Sequence, residues 1–92
     1  MDNSQNKNQH FIFFYFNRKE PENIQQVVPA HIGYWKAANL KEYLGGPFAD
    51  RTGGLITFTA SSLEEATEII LKDPFVLEDL IAEKWIKEWI VE

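Results

Sequence analysis

The sequence predicts an α+β domain with the ferredoxin-like element order βαββαβ and a four-stranded antiparallel sheet. Its 92 residues suffice for one hydrophobic core and not for two. The composition, 45% hydrophobic and 25% charged, is that of a folded globular chain. The hydrophobic period also switches between strand and helix spacing in the order strand, helix, strand, strand, helix, strand.

The first strand follows a polar opening. Residues 1–10 show no hydrophobic period, so we predict a disordered polar tail there and a single domain over residues 11–92. Residues 11–16, FIFFYF, are apolar at every position, so a strand here carries apolar side chains on both faces. Both faces must therefore be covered.

A helix follows the polar connection over residues 17–23. Pro29 is assigned to the first turn of this helix, where the missing N–H of proline costs nothing. His31 then shares a helical face with Val28 and Trp35, which indicates an imidazole that is not freely solvated. His31 is therefore the first candidate for chemistry.

The middle of the chain predicts a β-hairpin and a second helix. Residues 40–48 form one strand, with an irregular Gly-Gly-Pro edge, and residues 55–60 form the other. Ser62 and Glu65 have the spacing of a capping box, which marks the start of the helix. The helix should end at Asp73, because a proline disfavours α conformation in the residue before it.

Residues 75–92 fit two structures. A helix would align Leu77, Leu80, Ile81, Trp85 and Trp89. A strand would place on one face Trp85, Lys87, Trp89 and Val91. Periodicity alone leaves both open.

The sheet is expected to have one face that the helices do not cover. That face would keep half of the FIFFYF side chains together with Leu55, and with Trp85 if the tail is a strand. This is more apolar area than a monomer usually exposes. We therefore predict a homodimer that packs sheet on sheet.

Composition excludes several classes of function. The net charge of −5 argues against nucleic acid and against an anionic membrane as partners. With no cysteine and two histidines, neither a metal site nor a cysteine nucleophile is predicted, and no cofactor is expected. No apolar run approaches the roughly 18 residues of a membrane span, and the opening lacks the apolar centre of a signal peptide. A cytoplasmic protein is expected.

Several short motifs occur in an order that resembles the YCII-related proteins. They are PAHIGYW from Pro29, GGPFADRTGG from Gly45, SLEEA from Ser62, DPF from Asp73 and IKEW from Ile86. No single motif is specific, and the resemblance rests on their order and spacing over most of residues 11–92. It implies a dimeric α+β barrel of ferredoxin-like topology, with the tryptophan-rich tail as a strand.

The resemblance also implies a site. A helix histidine and the aspartate of the DPF motif form the family's candidate active-site pair, which corresponds here to His31 and Asp73. Gly46 and Pro47 correspond to the pocket wall. The other motif residues assigned to substrate binding are Tyr34, Phe48 and Phe75. Some members carry an arginine three positions before the histidine, where this chain has Val28.

The pair has a chemical rationale of its own. A helix N-terminus disfavours an imidazolium, whereas a carboxylate bound to one ring nitrogen fixes the tautomer and favours protonation. A neutral His31 oriented by Asp73 could act as a general base on an acidic C–H or O–H group. The alternative is that His31 is a hydrogen-bonded helix residue and that Asp73 only ends a helix.

Other candidate residues have simpler interpretations. The glycine-rich GGPFADRTGG lacks the ending of a phosphate loop and predicts a turn at a strand edge. Asp50 and Arg51 are interpreted as an exposed hairpin pair, with reach to the pocket mouth as the alternative. Ser62 is assigned to the helix cap. Trp85 and Trp89 are assigned to packing in the core or at the dimer interface, with stacking on a planar ligand as the alternative.

Two hypotheses for function remain. One is a small cofactor-free enzyme, a lyase or isomerase by resemblance, that moves a proton on a small cyclic or aromatic metabolite. The other is a dimeric module that binds a small molecule or supports a structure without catalysis. A fold shared with an enzyme does not choose between them.

Overall fold

The computed structural model describes residues 9–18 and 21–92. Within them the elements in chain order are β1 (Gln9–Asn17), α1 (Pro21–Ala38), β2 (Leu44–Pro47), β3 (Gly53–Ala60), α2 (Leu63–Leu71), α3 (Pro74–Leu77) and β4 (Ile81–Glu88). The four strands form one antiparallel sheet with the strand order β2-β3-β1-β4. The predicted fold class is confirmed, with the short helix α3 as an addition.

Strand β1 lies in the middle of the sheet, as its apolar sequence requires. Phe13 pairs with Ile56 on β3 and with Ile86 on β4. Phe11, Phe13 and Tyr15 are buried under the helices, where they form one core with Trp35 and residues of α2 and α3. The strand begins at Gln9, so Gln9 and His10 belong to the sheet rather than to the predicted tail. Residues 1–8 of that tail lie outside the described residues.

Helix α1 begins eight residues before the position that the sequence suggested. Pro21, not Pro29, occupies its first turn, and Pro29 lies inside the helix. The prediction for Pro29 is therefore wrong: the rule that favours proline in a first turn fits two prolines here, and the earlier one starts the helix. His31 consequently lies in the middle of α1, so the argument from the dipole at a helix N-terminus does not apply to it.

The hairpin is shorter on its first side than predicted. Strand β2 covers only Leu44–Pro47, because the chain turns through left-handed backbone at Asn39 and Glu42 before it. Gly53 begins β3 in close contact with β1. A Cβ at this position would overlap the carbonyl oxygen of Tyr15, so only glycine fits.

In the second half of the chain, capping residues mark where the helices begin. The Ser62 hydroxyl accepts from the Glu65 N–H at 3.1 Å, which confirms the predicted start of α2. Helix α2 ends at Leu71, and extended backbone at Asp73, just before Pro74, separates it from α3. The tail forms strand β4 beside β1, so the strand alternative is the correct one.

The face of the sheet opposite the helices is apolar at its centre. Phe14 of β1 stacks on Trp85 of β4 with ring centroids 5.1 Å apart, and Phe16 meets Trp85 edge to face. Leu55 lies opposite Phe14 on the other side and is 36% exposed. We call this set of Phe14, Phe16, Leu55 and Trp85 the outer face.

Candidate active site

His31 and Asp73 are in direct contact. The Nδ1 atom of His31 lies 2.8 Å from Oδ1 of Asp73, although 42 positions separate the two residues in the sequence. Helix α1 carries the histidine and packs against α3, whose first turn Asp73 caps. The packing of these two helices therefore assembles the pair.

The Asp73 side chain is fully buried and accepts three hydrogen bonds. Besides His31, the Phe75 backbone N–H donates to Oδ1 at 2.8 Å, and the Trp35 indole Nε1–H donates to Oδ2 at 2.9 Å. A carboxylate has only acceptors, so Nδ1 of His31 carries the proton that it donates. In a neutral imidazole the lone pair then lies on Nε2.

The imidazole ring is held by aromatic neighbours. The Phe75 ring stacks on it with centroids 3.9 Å apart and planes within 8°. Tyr15 meets it edge to face at 6.2 Å. The His31 side chain is 12% exposed, and within residues 9–18 and 21–92 no group forms a hydrogen bond with Nε2. The ring is thus fixed in orientation, with one nitrogen available to a ligand.

A cavity of about 630 Å³ lies beside His31. Its walls come from α1, the ends of β1 and β3, strand β2 and the start of α3. The polar groups that line it include His31, Tyr15 and Tyr43, and the backbone of Gly45, Gly46 and Pro47 forms one side. This is a suitable size for a small ring compound.

Two phenols beside the cavity keep their protons. Burial raises the pKa of Tyr15 well above its ordinary value, and the negative charge of the Asp73 carboxylate adds to this effect. Burial and the Asp73 carboxylate also raise the pKa of Tyr43. Both side chains are therefore hydrogen-bond donors rather than bases at neutral pH.

Four further polar side chains line the cavity: Asn17 at the end of β1, Gln25 and Lys36 on α1, and Arg51 in the hairpin loop. The Asn17 Oδ1 atom is buried and has no hydrogen-bond partner among the described residues.

Within the same residues, no group of three or more His, Cys, Asp or Glu side chains could hold a metal ion. None of the described helices is long and apolar enough to cross a membrane.

The structure gathers some of the predicted site residues and separates others. His31, Gly46, Pro47 and Phe75 line the cavity, as does Val28, the position at which some relatives carry arginine. Asp73 lies behind His31 and is shielded from the cavity.

Two residues that the sequence assigned to substrate binding, Tyr34 and Phe48, lie outside the cavity lining. The Tyr34 hydroxyl donates to the Ile69 carbonyl oxygen on α2 at 2.5 Å, which turns the ring away from the cavity. Phe48 follows the last residue of β2 and packs on Phe16, with ring centroids 5.7 Å apart.

Sequence reasoning missed Tyr15, Tyr43, Asn17 and Lys36 as cavity residues and gave Arg51 only as an alternative. A signal existed for Tyr15, which carries the only hydroxyl in the apolar run of residues 11–16. For the others the sequence offered none, because each reaches the cavity from a different element.

The fold and the site define a small ferredoxin-like α+β domain with a His–Asp pair beside a cavity. The model of the YCII-related domain family matches residues 8–90. The chain belongs to the YCII-related domain family.

Known proteins resemble the chain in sequence and in structure. The uncharacterized protein YjpA of Bacillus subtilis (strain 168) is 52% identical over 44 residues, which are 48% of this chain and 51% of YjpA. The chain thus matches about half the length of this curated relative.

The solved structures that share the fold include two proteins. One is 5-chloro-2-hydroxyhydroquinone dehydrochlorinase (TftG) from Burkholderia phenoliruptrix AC1100, in complex with 2,5-dihydroxybenzoquinone. It has a TM-score of 0.76 and 24% identity, over 88% of this chain and 93% of that one. The other is a dimeric ferredoxin-like protein from an uncultured marine organism, with a TM-score of 0.55 and 10% identity over 97% and 94% of the two chains.

Proposed function

We propose that this protein is a small enzyme that needs no cofactor and uses His31 as a general base and acid on a small cyclic or aromatic metabolite. The observation that carries the proposal is the hydrogen bond from His31 Nδ1 to the buried Asp73 carboxylate. This bond leaves Nε2 of a cavity-lining ring as the basic atom.

The reaction follows from these positions. Nε2 takes a proton from a ring hydroxyl or an acidic C–H group, and the electron pair moves into the ring. The ring then expels a leaving group, which is an elimination, or takes the proton back from Nε2 at another carbon, which is an isomerisation. Throughout, Asp73 stabilises the imidazolium that forms.

The two phenols support this chemistry. Tyr15 and Tyr43 line the same cavity, and their raised pKa values keep both as neutral donors. Such donors can stabilise negative charge on a substrate oxygen as the proton leaves carbon or oxygen. The structural neighbour from Burkholderia bears the name of a dehydrochlorinase and was crystallised with a hydroxylated benzoquinone. That name supports hydroxylated rings as the first compounds to test.

The test compares wild type with His31→Gln, which keeps an amide N–H for Asp73 but has no basic nitrogen. Hydroxyquinols, including the chlorinated compound named above, cyclic enols and lactones are incubated anaerobically in D2O. Proton NMR follows exchange, isomerisation and elimination. At least one compound should react with wild type and react more slowly by a factor of about 100 or more with His31→Gln.

His10→Gln is the matched control. His10 lies at the opposite end of β1 from the cavity, against Glu42 and Trp89, so this substitution should leave the rate unchanged. Equal rates for wild type and His31→Gln on every compound would refute the proposed base.

A second candidate function is ligand binding without chemistry. It is favoured by the internal bonds of Asp73, which caps α3 through Phe75 and holds the Trp35 indole in the core. These bonds give the carboxylate a structural role even without a reaction. The cavity and its polar groups would then bind a metabolite that leaves unchanged, as the D2O experiment would show.

We propose further that the protein is a homodimer that buries the outer face, sheet on sheet. A stacked phenylalanine and tryptophan at the centre of that face, with exposed leucine beside them, form an apolar patch suited to a second copy. Leu55→Lys should yield a monomer in size-exclusion chromatography with light scattering.

The matched control for this dimer is Leu71→Lys, an exposed leucine at the end of α2 that lies in the helix layer. It should remain a dimer. A monomeric wild type, or a Leu55→Lys protein that is still dimeric, would rule out this interface.

A further inference from the structure

The charges around the cavity have the opposite sign to the chain as a whole. The protein has a net charge of −5, with fourteen acidic residues against nine basic ones. Yet Lys36 and Arg51 line the cavity, and none of the described carboxylates does. Asp73 lies behind the imidazole, with its charge satisfied by three donors.

Arg51 is available to a ligand. Its acidic neighbour Asp50 accepts instead from the Thr52 N–H at 3.1 Å and from the Thr52 hydroxyl at 2.7 Å. Among the described residues, no carboxylate forms an ion pair with Arg51. By contrast, Arg18 lies outside the cavity lining and is paired with Asp79 at 3.1 Å.

The backbone that carries Arg51 is fixed in place. Arg51 has a φ of 65°, a left-handed conformation that residues other than glycine rarely adopt. Its N–H donates to the Phe48 carbonyl oxygen at 2.9 Å, and the Phe48 N–H donates to the Gly53 carbonyl oxygen at 2.8 Å. These bonds close the loop around Arg51, which lines the cavity.

A buried acceptor lies next to this loop. The Asn17 N–H donates to the Thr52 carbonyl oxygen at 2.8 Å, which brings Asn17 beside the residue that follows Arg51. Asn17 lines the cavity and its buried Oδ1 atom has no donor among the described residues, so Oδ1 is a candidate acceptor for a ligand hydroxyl at this end of the cavity.

We propose that the cavity selects a small ring compound that carries an anionic oxygen group and a hydroxyl, and that Arg51 is the residue that binds the anion. This inference rests on the proposed function, since it names the substrate class of the same cavity. Lys36 contributes attraction at longer range, and Asn17 accepts from the hydroxyl.

The test is a binding titration that requires no turnover. The probes are 3-hydroxybenzoate, its neutral analogue 3-hydroxybenzamide, and benzoate, which lacks the hydroxyl. Nitrogen-15 NMR of the full chain measures the affinity for each probe at about pH 8, well above the pKa of a carboxylic acid. Wild type should bind 3-hydroxybenzoate about tenfold more tightly than 3-hydroxybenzamide, and more tightly than benzoate.

The variants assign the preference to one residue. Arg51→Gln should bind the two hydroxylated probes with nearly equal affinity, and Arg51→Lys should recover part of the preference. Arg18→Gln, which removes the same charge outside the cavity, should behave as wild type. The inference is overturned by equal binding of both probes to wild type, by binding of neither, or by a loss confined to Lys36→Gln.

His31→Gln separates this inference from the proposed function. If the probe preference persists in wild type and in His31→Gln while no compound reacts, anion selection holds and the enzyme proposal fails. If compounds react but the preference is absent, the enzyme proposal holds and anion selection fails.

Discussion

Replacement of Asp73 by asparagine changes one atom of a fully buried side chain and disrupts the bonds that hold the site. Oδ1 accepts from His31 and from the Phe75 N–H, and Oδ2 accepts from the Trp35 indole. An amide offers one oxygen and one NH2 group. Whichever way it turns, the NH2 group faces at least one donor.

The expected cost can be summed from these contacts. A buried donor left without an acceptor costs about 1 to 3 kcal/mol. The hydrogen bonds that remain lose their charge assistance, at roughly 1 kcal/mol each. Burial of a neutral amide costs less desolvation free energy than burial of a carboxylate, and this difference offsets part of the loss. We expect Asp73→Asn to reduce the free energy of unfolding by about 2 to 4 kcal/mol.

Urea unfolding followed by tryptophan fluorescence measures this change, with all variants at one protein concentration because dimerisation would contribute to stability. Asp79→Asn is the matched control. Asp79 is 81% exposed, and its φ of 58° suits asparagine, so this change should stay within about 0.5 kcal/mol of wild type. The reasoning is refuted if Asp73→Asn costs no more than Asp79→Asn.

Three further predictions concern stability and pH. Because burial and Asp73 raise the pKa of Tyr15, the folded state keeps a proton that the unfolded chain loses above about pH 10, so stability falls with rising pH. Tyr15→Phe should remove up to about 1.4 kcal/mol per pH unit of that slope, as urea unfolding between about pH 9 and 11 would show. Gly54→Ala places a Cβ 2.5 Å from the Tyr15 hydroxyl oxygen and should cost about 1 to 3 kcal/mol in urea unfolding, whereas Gly33→Ala, with open space around it, should not destabilise. Pro29→Ala restores an N–H inside α1 and should increase the free energy of unfolding by about 1 to 3 kcal/mol, which raises the thermal midpoint. An unchanged or lower midpoint would contradict this.

The sequence predicted the fold because its local signals agree. The apolar FIFFYF run requires a central strand, and Ser62 with Glu65 marks α2. The rule for proline at a first turn failed at Pro29, because it cannot choose between two prolines without knowing how far the helix packs on the sheet. The tail was ambiguous for a similar reason, since its strand pairing depends on β1.

The site was predictable only through motifs. Resemblance pointed to His31 and Asp73, but their contact arises from the packing of α1 against α3. Arg51 and Asn17 are brought together by a hydrogen bond between β1 and the hairpin loop, which no local pattern encodes. The positions of Tyr34 and Phe48 outside the cavity lining show that membership of a motif does not fix the direction of a side chain.

The central claim is that Asp73 holds the proton on Nδ1 of His31 and leaves Nε2 as the base. Nitrogen-15 NMR of the imidazole measures this directly, because protonated and unprotonated ring nitrogens differ widely in chemical shift. At a pH where His31 is neutral, we expect Nδ1 to be protonated and Nε2 unprotonated. A proton on Nε2 in the neutral ring would contradict the account.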